Sequence, residues 1–263
     1  MQMEEDQGRK MLSLERHQFI IDYLKVHKSV DVSFLSAELG VSEVTVRKDL
    51  EKLERDKLLV RSHGGAVLNE HLFNEPSFME KEDQLTEEKS AIASEAAKLI
   101  RNGMTVGLST GTTIGHLTRK IKDRSGLTIV TNAINVATTF MGSNEHQIFL
   151  TGGNIRPSTF ALIGETAEKA LDSVYCEIAF VGTNGFDSEH GLTTPSMDEA
   201  RVVRKLMANA KHVVLLVDHS KFNKVAFYRI EHVHQVHTVI TDSKAPADEL
   251  EKLREKGIQV IIA

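Results

Sequence analysis

Apolar positions in the first part of the chain recur at helical spacing. Over residues 14–26 they are Phe19, Ile20, Tyr23, Leu24 and Val26, which predicts a first helix. A second, shorter helix is expected at about 33–39, and Gly40 with Val41 supplies a tight corner, since glycine tolerates the positive φ such a corner requires. The chain then runs into a third helix. Ser42 is placed to cap its first N–H groups, and Val46, Leu50 and Leu53 fall at i, i+4 and i+7 as a buried stripe. Thr45, Arg47, Lys48, Lys52 and Arg55 are left on the outward face. Residues 58–67 read as strand, Gly64-Gly65 turn and strand. Three helices followed by a hairpin predict a winged helix-turn-helix, and a helix offering hydroxyl and guanidinium groups suits a DNA major groove. A solvated amphipathic helix is the plainer alternative for the third helix alone.

The pattern changes after residue 68. Residues 68–86 are polar, contain Pro76 and several carboxylates and lack sustained periodicity. The division is therefore a DNA-binding domain over 12–68, a linker over 69–86 and a second domain over 87–263. In the second domain, apolar runs suited to buried strands occur at 105–108, 127–130, 148–150, 178–181, 213–217, 239–240 and 259–262. Helical patterns lie at 90–100, 113–121, 133–141, 198–210 and 247–256. This alternation predicts an α/β domain with a parallel sheet covered on both faces, and ligands then sit at the carboxyl ends of the strands.

Those strand ends are rich in small polar residues. Ser109-Thr110-Gly111-Thr112-Thr113 follows the first strand and opens a helix, so glycine permits close approach while free N–H groups and hydroxyls face a ligand. A phosphate cradle is one reading and a plain strand-to-helix turn the other. Neither a Gly-Lys-Ser/Thr loop nor a Gly-x-Gly-x-x-Gly fingerprint is present. Thr131-Asn132, Thr151-Gly152-Gly153, Gly182-Thr183-Asn184-Gly185 and Asp218-His219-Ser220-Lys221 follow later strands. Together they predict a site for a small polyhydroxylated anion, with Lys221 meeting negative charge and Asp218 and Asn132 taking hydroxyls.

Composition narrows the classes. The 263 residues are 41% hydrophobic, enough for two domains, and the formal net charge of -5 excludes a polycation that coats nucleic acid by bulk attraction. Any DNA contact has to be local. Residues 42–65 hold six Lys or Arg and five Asp or Glu, a net charge of +1. Cys176 is the only cysteine, which excludes an internal disulfide and a multi-cysteine zinc site and suits a reducing compartment. The first ten residues lack the apolar core of a signal peptide and no run is long enough for a membrane span, so a cytoplasmic protein with no membrane partner is expected. His232, His234 and His237 lack the company of further ligands, so solvated histidines are expected and neither metal nor cofactor. Cys176, Met197 and Met207 read as packing residues, and Asp198, Glu199, Arg201 and Arg204 as a charged helix face.

These residues carry a resemblance. Arg16, Ile20 and Leu24, then seventeen residues, then Ser42, Thr45, Val46, Arg47, Lys48, Asp49 and Leu50 resemble the DNA-binding domain of the DeoR family of bacterial transcriptional regulators. Arg61-Ser62-His63-Gly64-Gly65-Ala66 resembles the family's wing. The remainder is similar to its sensor domain through Gly111-Thr112-Thr113, Thr131-Asn132, Gly152-Gly153 with Arg156, Gly191-Leu192-Thr193-Thr194, Glu199-Ala200 and Asp218-His219-Ser220-Lys221-Phe222. The resemblance implies a Rossmann-like parallel-sheet domain sharing its fold with ribose-5-phosphate isomerase, and a sugar phosphate as effector. Two departures stand out. Ser109-Thr110 stands where the family commonly has Asp-Ser, and Thr183-Asn184-Gly185 where Ala-Asp-Gly is common, so two acidic positions are neutral and the sugar that fits should differ.

The expected function is a repressor of a carbohydrate-utilisation operon, not an enzyme, acting as a homo-oligomer, dimer or tetramer, on a double-stranded operator. Ser42, Thr45, Arg47, Lys48, Lys52, Arg55, Arg61 and His63 are the expected DNA contacts. Ser109, Thr110, Gly111, Thr112, Thr113, Thr131, Asn132, Gly152, Gly153, Asn184, Glu199, Asp218 and Lys221 are the expected effector contacts. The alternative is a phosphosugar isomerase-like enzyme fused to a DNA-binding domain, with Asp218 and Lys221 moving the proton. The neutral residues at 109 and 184 count against it.

Overall fold

The computed structural model of the chain describes residues 12–55, 58–62, 64–68, 75–142 and 144–263, which form two compact units divided between Asn74 and Glu75. Among the described residues no helix is long and apolar enough to cross a membrane.

The first unit runs α1 (Ser13–His27), β1 (Ser29–Asp31), α2 (Val32–Leu39), α3 (Glu43–Arg55), β2 (Leu59–Ser62) and β3 (Gly65–Leu68). Ile20 and Leu24 of α1, Leu35 of α2 and Val46, Leu50 and Leu53 of α3 are buried together with Leu59 and Ala66. Each large apolar side chain so buried stabilises the unit by roughly 1.5–3 kcal/mol. Gly40 ends α2 with φ 61, and its N–H donates to the Ser36 carbonyl. Ser42 caps α3, accepting from the Thr45 N–H at 3.2 Å. The expected hairpin forms between β2 and β3, but β1 joins it, giving the order β1-β3-β2. Three residues are too few to declare a strand by periodicity. Their effect is visible at Gly65, where a Cβ would lie 2.1 Å from the Val30 carbonyl oxygen, so the third strand requires glycine there.

The second unit begins with α4 (Phe78–Glu82) and α5 (Thr86–Lys98), followed by β4 (Thr105–Leu108), α6 (Thr112–Ile121), β5 (Thr128–Thr131), α7 (Ile134–Phe140) and β6 (Gln147–Leu150). A short ribbon, β7 (Asn154–Arg156) and β8 (Ala161–Ile163), leads through α8 (Glu165–Ala170) to β9 (Ile178–Val181). Then come β10 (Gly185–Asp187), β11 (Gly191–Thr194), α9 (Met197–Ala208), β12 (Val213–Leu216), β13 (Tyr228–Glu231), β14 (Thr238–Thr241), α10 (Ala247–Glu255) and β15 (Gln259–Ile262). The seven strands read from the apolar runs form one parallel sheet in the order β15-β14-β12-β9-β4-β5-β6. Its two faces follow from the period of two along each strand. Val106, Leu108, Ile129 and Phe180 face Ile92, Ile114, Leu117, Ile121 and Phe140 of α5, α6 and α7. Val181, Val213, Leu215 and Val239 face Val203, Met207, Leu250 and Leu253 of α9 and α10. Cys176 packs beside Ala179, Val202 and Leu206, and burial pushes its thiol up to about 11.

The segment 69–86 does not behave as one linker. Residues 75–86 belong to the second unit: Ser77 caps α4, the Phe78 N–H donates to the Ser158 carbonyl at 2.7 Å, and the Phe78 ring meets Phe160 edge to face. A single Phe in a polar stretch gives no periodicity, so the composition reads as linker while one buried ring anchors it. α5 likewise starts at Thr86 rather than near residue 90.

Candidate functional site

The chain reverses direction across the sheet between β4 and β9. From β4 it winds outward through β5 to β6, then returns to the other side of β4 and winds through β12 to β15. Loops leaving adjacent strands on opposite sides of such a switch point leave a crevice, the usual ligand position in open α/β sheets. Ser109 ties its walls together, because its hydroxyl donates to the Thr110 carbonyl and accepts from the Gly182 N–H, both at 3.1 Å. A cavity opens there, lined by the loops after β4, β9 and β12 and by residues of α4, α5 and α9.

Eight of the thirteen expected effector residues line this cavity: Thr110, Gly111, Thr112, Thr113, Asn184, Glu199, Asp218 and Lys221. Gly111 stands immediately before α6 with φ 132 and ψ 154, a conformation open to glycine, and no side chain caps the helix. The first N–H groups of α6 are thereby presented at the cavity with the positive end of the helix dipole. Lys221 and Lys89 bring ammonium groups to the same space. Burial pushes both lysines below their ordinary value, with Asp218 opposing. An ammonium stripped of water in this way gains more from an anionic partner than one on the surface.

The other five have different work. Ser109 braces the walls. Thr131 donates to the Leu108 carbonyl at 2.7 Å and accepts from the Ala133 N–H, and Asn132 donates to the Leu162 carbonyl. Gly152 and Gly153 turn the chain out of β6 into the ribbon. Because β5 and β6 lie beyond β4 in the sheet, the ends of these strands do not reach the crevice directly. The ribbon does so instead, carrying Thr159 into it and setting Arg156 against Glu199 in its wall.

The same cavity holds a charged cluster, part of which lies outside the strand-end loops. Glu75, with a side chain only 4% exposed, accepts from Lys81 Nζ at 2.8 Å, from Asn184 Nδ2 at 2.7 Å and from Arg156. The same guanidinium meets Glu199 at 3.0 Å, and Glu199 also accepts from Thr159 and Thr194. Burial opposes ionisation of Glu75, yet the charge of Lys81 and the donors around it hold its carboxyl below the usual range. Glu199 goes the other way, pushed up by burial and by the Glu75 charge. Glu199 is thus a buried cavity residue rather than part of a solvated helix face. Glu75, Lys81 and Lys89 lie outside the loops after strands, and a capping Ser77-x-x-Glu80 followed by a lysine was their only trace in the sequence.

In the first unit α3 presents Arg47, Lys48, Lys52 and Arg55 to solvent, with Thr45 half-buried at its start. Arg47 pairs with Glu43 at 2.9 Å on the exposed face. Arg61 of β2 reaches back to Glu51 of α3 at 3.2 Å. His63 lies outside the described residues. His232 and His234 are exposed and stacked, and no group of metal-ligating side chains forms among the described residues.

A helix-turn-helix unit that presents Arg47, Lys48, Lys52 and Arg55 to solvent, joined to an α/β unit with a charged crevice at its switch point, defines a class of ligand-responsive DNA-binding regulators. Two family models divide the chain in the same sense: a DeoR-like helix-turn-helix domain over residues 16–71 and a DeoR C terminal sensor domain over residues 84–243. The chain belongs to the DeoR family of transcriptional regulators. A putative aga operon transcriptional repressor of Escherichia coli O157:H7 is 34% identical over 250 residues, 94% of this chain and 93% of that protein. The glycerol-3-phosphate regulon repressor of Escherichia coli (strain K12) is 34% identical over 250 residues, 95% of this chain and 99% of that protein. A D-ribose-5-phosphate isomerase solved with phospho-erythronic acid is similar over 52% of this chain and 54% of its own, at 19% identity and a TM-score of 0.39.

Proposed function

We propose that the protein represses a carbohydrate-utilisation operon and that a phosphorylated sugar bound in the second unit releases it. One observation carries the effector reading. The uncapped start of α6 at Gly111, Thr112 and Thr113 shares one cavity with the buried Lys89 and the half-buried Lys221, which is the donor set a phosphate ester requires. The hydroxyl-bearing part of the sugar then faces Asn184, Thr183, Thr194 and Glu199. Each carboxylate there is engaged by fixed donors, Glu199 by Arg156 and Thr159 and Asp218 by Ser220, which favours a binding site over one that moves protons.

On DNA, α3 enters the major groove with Ser42, Thr45, Arg47 and Lys48 nearest bases and phosphates, while Lys52, Arg55 and Arg61 meet the backbone. Arg61 and Arg47 exchange exposed carboxylate partners for phosphates at little cost. The protein acts in the cytoplasm as a homo-oligomer, since one unit of this size reads too few base pairs to find a site alone. Names of the relatives support the regulated class: repressors of the aga operon and of the glycerol-3-phosphate regulon.

The test is a thermal-shift panel of sugar and amino-sugar phosphates, followed by binding to duplexes enriched from a random pool by the wild-type protein. A ligand of the native state raises the melting temperature. The expected result is a shift with one phosphorylated sugar, lost in Lys221→Ala, and release of the duplex by the same compound. A melting temperature unmoved by every phosphate ester at high concentration would overturn the effector reading.

A further inference from the structure

Glu75 is the first residue of the second unit, and its carboxylate does not point at solvent. It lines the cavity and takes the cavity's Lys81 and the neighbouring Arg156, together with the amide of Asn184. We propose that Glu75 is a built-in competitor of the phosphate ester: an incoming dianion draws Lys81 and Arg156 away from it, and the freed segment 75–77 carries the signal into the chain that leads to the DNA-binding unit. This rests on the reading of the cavity as a phosphate-ester site.

Three features set the competition. Glu75 is a single negative charge with two oxygens, whereas a phosphate monoester brings close to two charges and three strong acceptor oxygens, so the same cations gain by changing partner. Arg156 is already divided between Glu75 and Glu199, two largely buried carboxylates that repel one another. Adding a dianion to that space raises the repulsion further, and Glu75 is the member free to leave. Glu199 is held within α9, while only Pro76 and Ser77 separate Glu75 from α4.

What happens when it leaves follows from the anchors beyond it. Phe78 keeps its N–H bond to Ser158 and its ring against Phe160, so release stops there. Three residues, 75–77, are then released from the second unit, up to about 10 Å of extended chain. A ligand that removes this restraint differs in affinity between the restrained and released forms, the condition for coupling two sites. The alternative is a Glu75 that stays in place and accepts a sugar hydroxyl, which predicts the opposite response of the segment.

Hydrogen exchange of the full chain, with inorganic phosphate as the probe and chloride at equal ionic strength as control, separates the two. Phosphate is expected to slow exchange at 111–114 and to speed it at Glu75 and Ser77 by on the order of tenfold, the Ser77 N–H leaving Glu80, while Phe78 keeps its rate. Glu75→Gln and Lys81→Met should each speed exchange at 75 and 77 without phosphate, and Glu75→Gln should tighten phosphate binding on the order of tenfold. Protection at 111–114 with slowed or unchanged exchange at 75 and 77 overturns the competitor and leaves the phosphate site standing. Unchanged exchange at 75 and 77 in both variants overturns it as well. No response at 111–114 overturns the phosphate reading and the competitor with it.

Discussion

Arg16 and Asp49 are joined across 33 residues of chain by two hydrogen bonds, from Nε at 2.7 Å and from the terminal nitrogen at 3.1 Å, with His17 adding a third contact to the same carboxylate at 3.0 Å. The pair fastens α1 to the inner side of α3 while Arg47 and Lys48 point away from it. Removing one partner takes the main counter-charge from the other in a poorly solvated place, leaving Asp49 to His17. Arg16→Ala is expected to destabilise the first unit by about 3 kcal/mol. The Arg16→Ala, Asp49→Ala double variant should cost less than the sum of the two single changes, because both remove the same ion pair. Urea unfolding followed by probes in the first unit measures both, and strict additivity would count against the pair.

Arg47 gives the contrasting case. Its ion pair with Glu43 is exposed on both sides, so Arg47→Ala should alter stability by less than about 0.5 kcal/mol. Binding to an enriched duplex should nevertheless weaken, and the slope of log affinity against log salt should fall by about one if the contact is to phosphate. Undiminished affinity would remove α3 from the groove.

Gly111→Ala separates conformation from space. A Cβ at this position would meet nothing closer than Ile114 at 3.8 Å, so there is room for it. The backbone at φ 132 and ψ 154 is nonetheless one that alanine avoids, at a cost on the order of 1–3 kcal/mol. The loop should relax away from the geometry that aims the α6 N–H groups, so protection by phosphate at 111–114 is expected to disappear while the rest of the unit keeps its exchange rates. Retained protection would show that the glycine is there for folding alone.

The seven parallel strands were legible because each is a short apolar run closed by turn residues; burial on both faces demands that composition of the inner strands, while the edge strands β6 and β15 are apolar yet partly exposed. The strand-end loops were legible for the same reason, since the rule that ligands sit there needs only the strands. Two parts were hidden. β1 and the second sheet of β10, β11 and β13 consist of strands of three or four residues, with too few alternations to register. Glu75, Lys81 and Lys89 reach the cavity from a polar stretch whose fold depends on the distant contacts of Phe78 with Ser158 and Phe160. Spacing along the chain carries no trace of such a contact. Asn132 and Gly152 sit at strand ends as read, but on the far side of β4 from the switch point and outside the lining of the cavity.

Cys176 should be inert while the protein is folded. It is buried among Ala179, Val202 and Leu206, and its thiol is pushed up to about 11, so little thiolate exists at neutral pH. A chromogenic disulfide reagent at pH 8 is expected to find no thiol in the native protein and one per chain in denaturant. Rapid labelling of the native protein would mean that the β9 edge of the core opens readily.

Glu75 and Glu199 shift in opposite directions from an ordinary value of 4.5, and the pH dependence of stability should report each separately. Glu75 is lowered, chiefly because Lys81, Arg156 and Asn184 outweigh its burial, so its contribution is present above about pH 4.5 and is lost as pH falls through the folded value. Glu199 is raised by burial and by the Glu75 charge, so its contribution is present below about pH 4.5 and is lost as pH rises through the folded value. Melting temperatures of wild type, Glu75→Gln and Glu199→Gln, each followed from pH 3.5 to 8, test this. Glu75→Gln should flatten the loss on the acid side and, by removing the repelling charge, bring Glu199 back toward its ordinary value. Glu199→Gln should remove the decline that sets in as pH rises above about 4.5 while leaving the acid limb in place. Identical profiles for the three proteins would mean that the two carboxylates do not share Arg156 in solution, and the competition for that guanidinium would lose its basis.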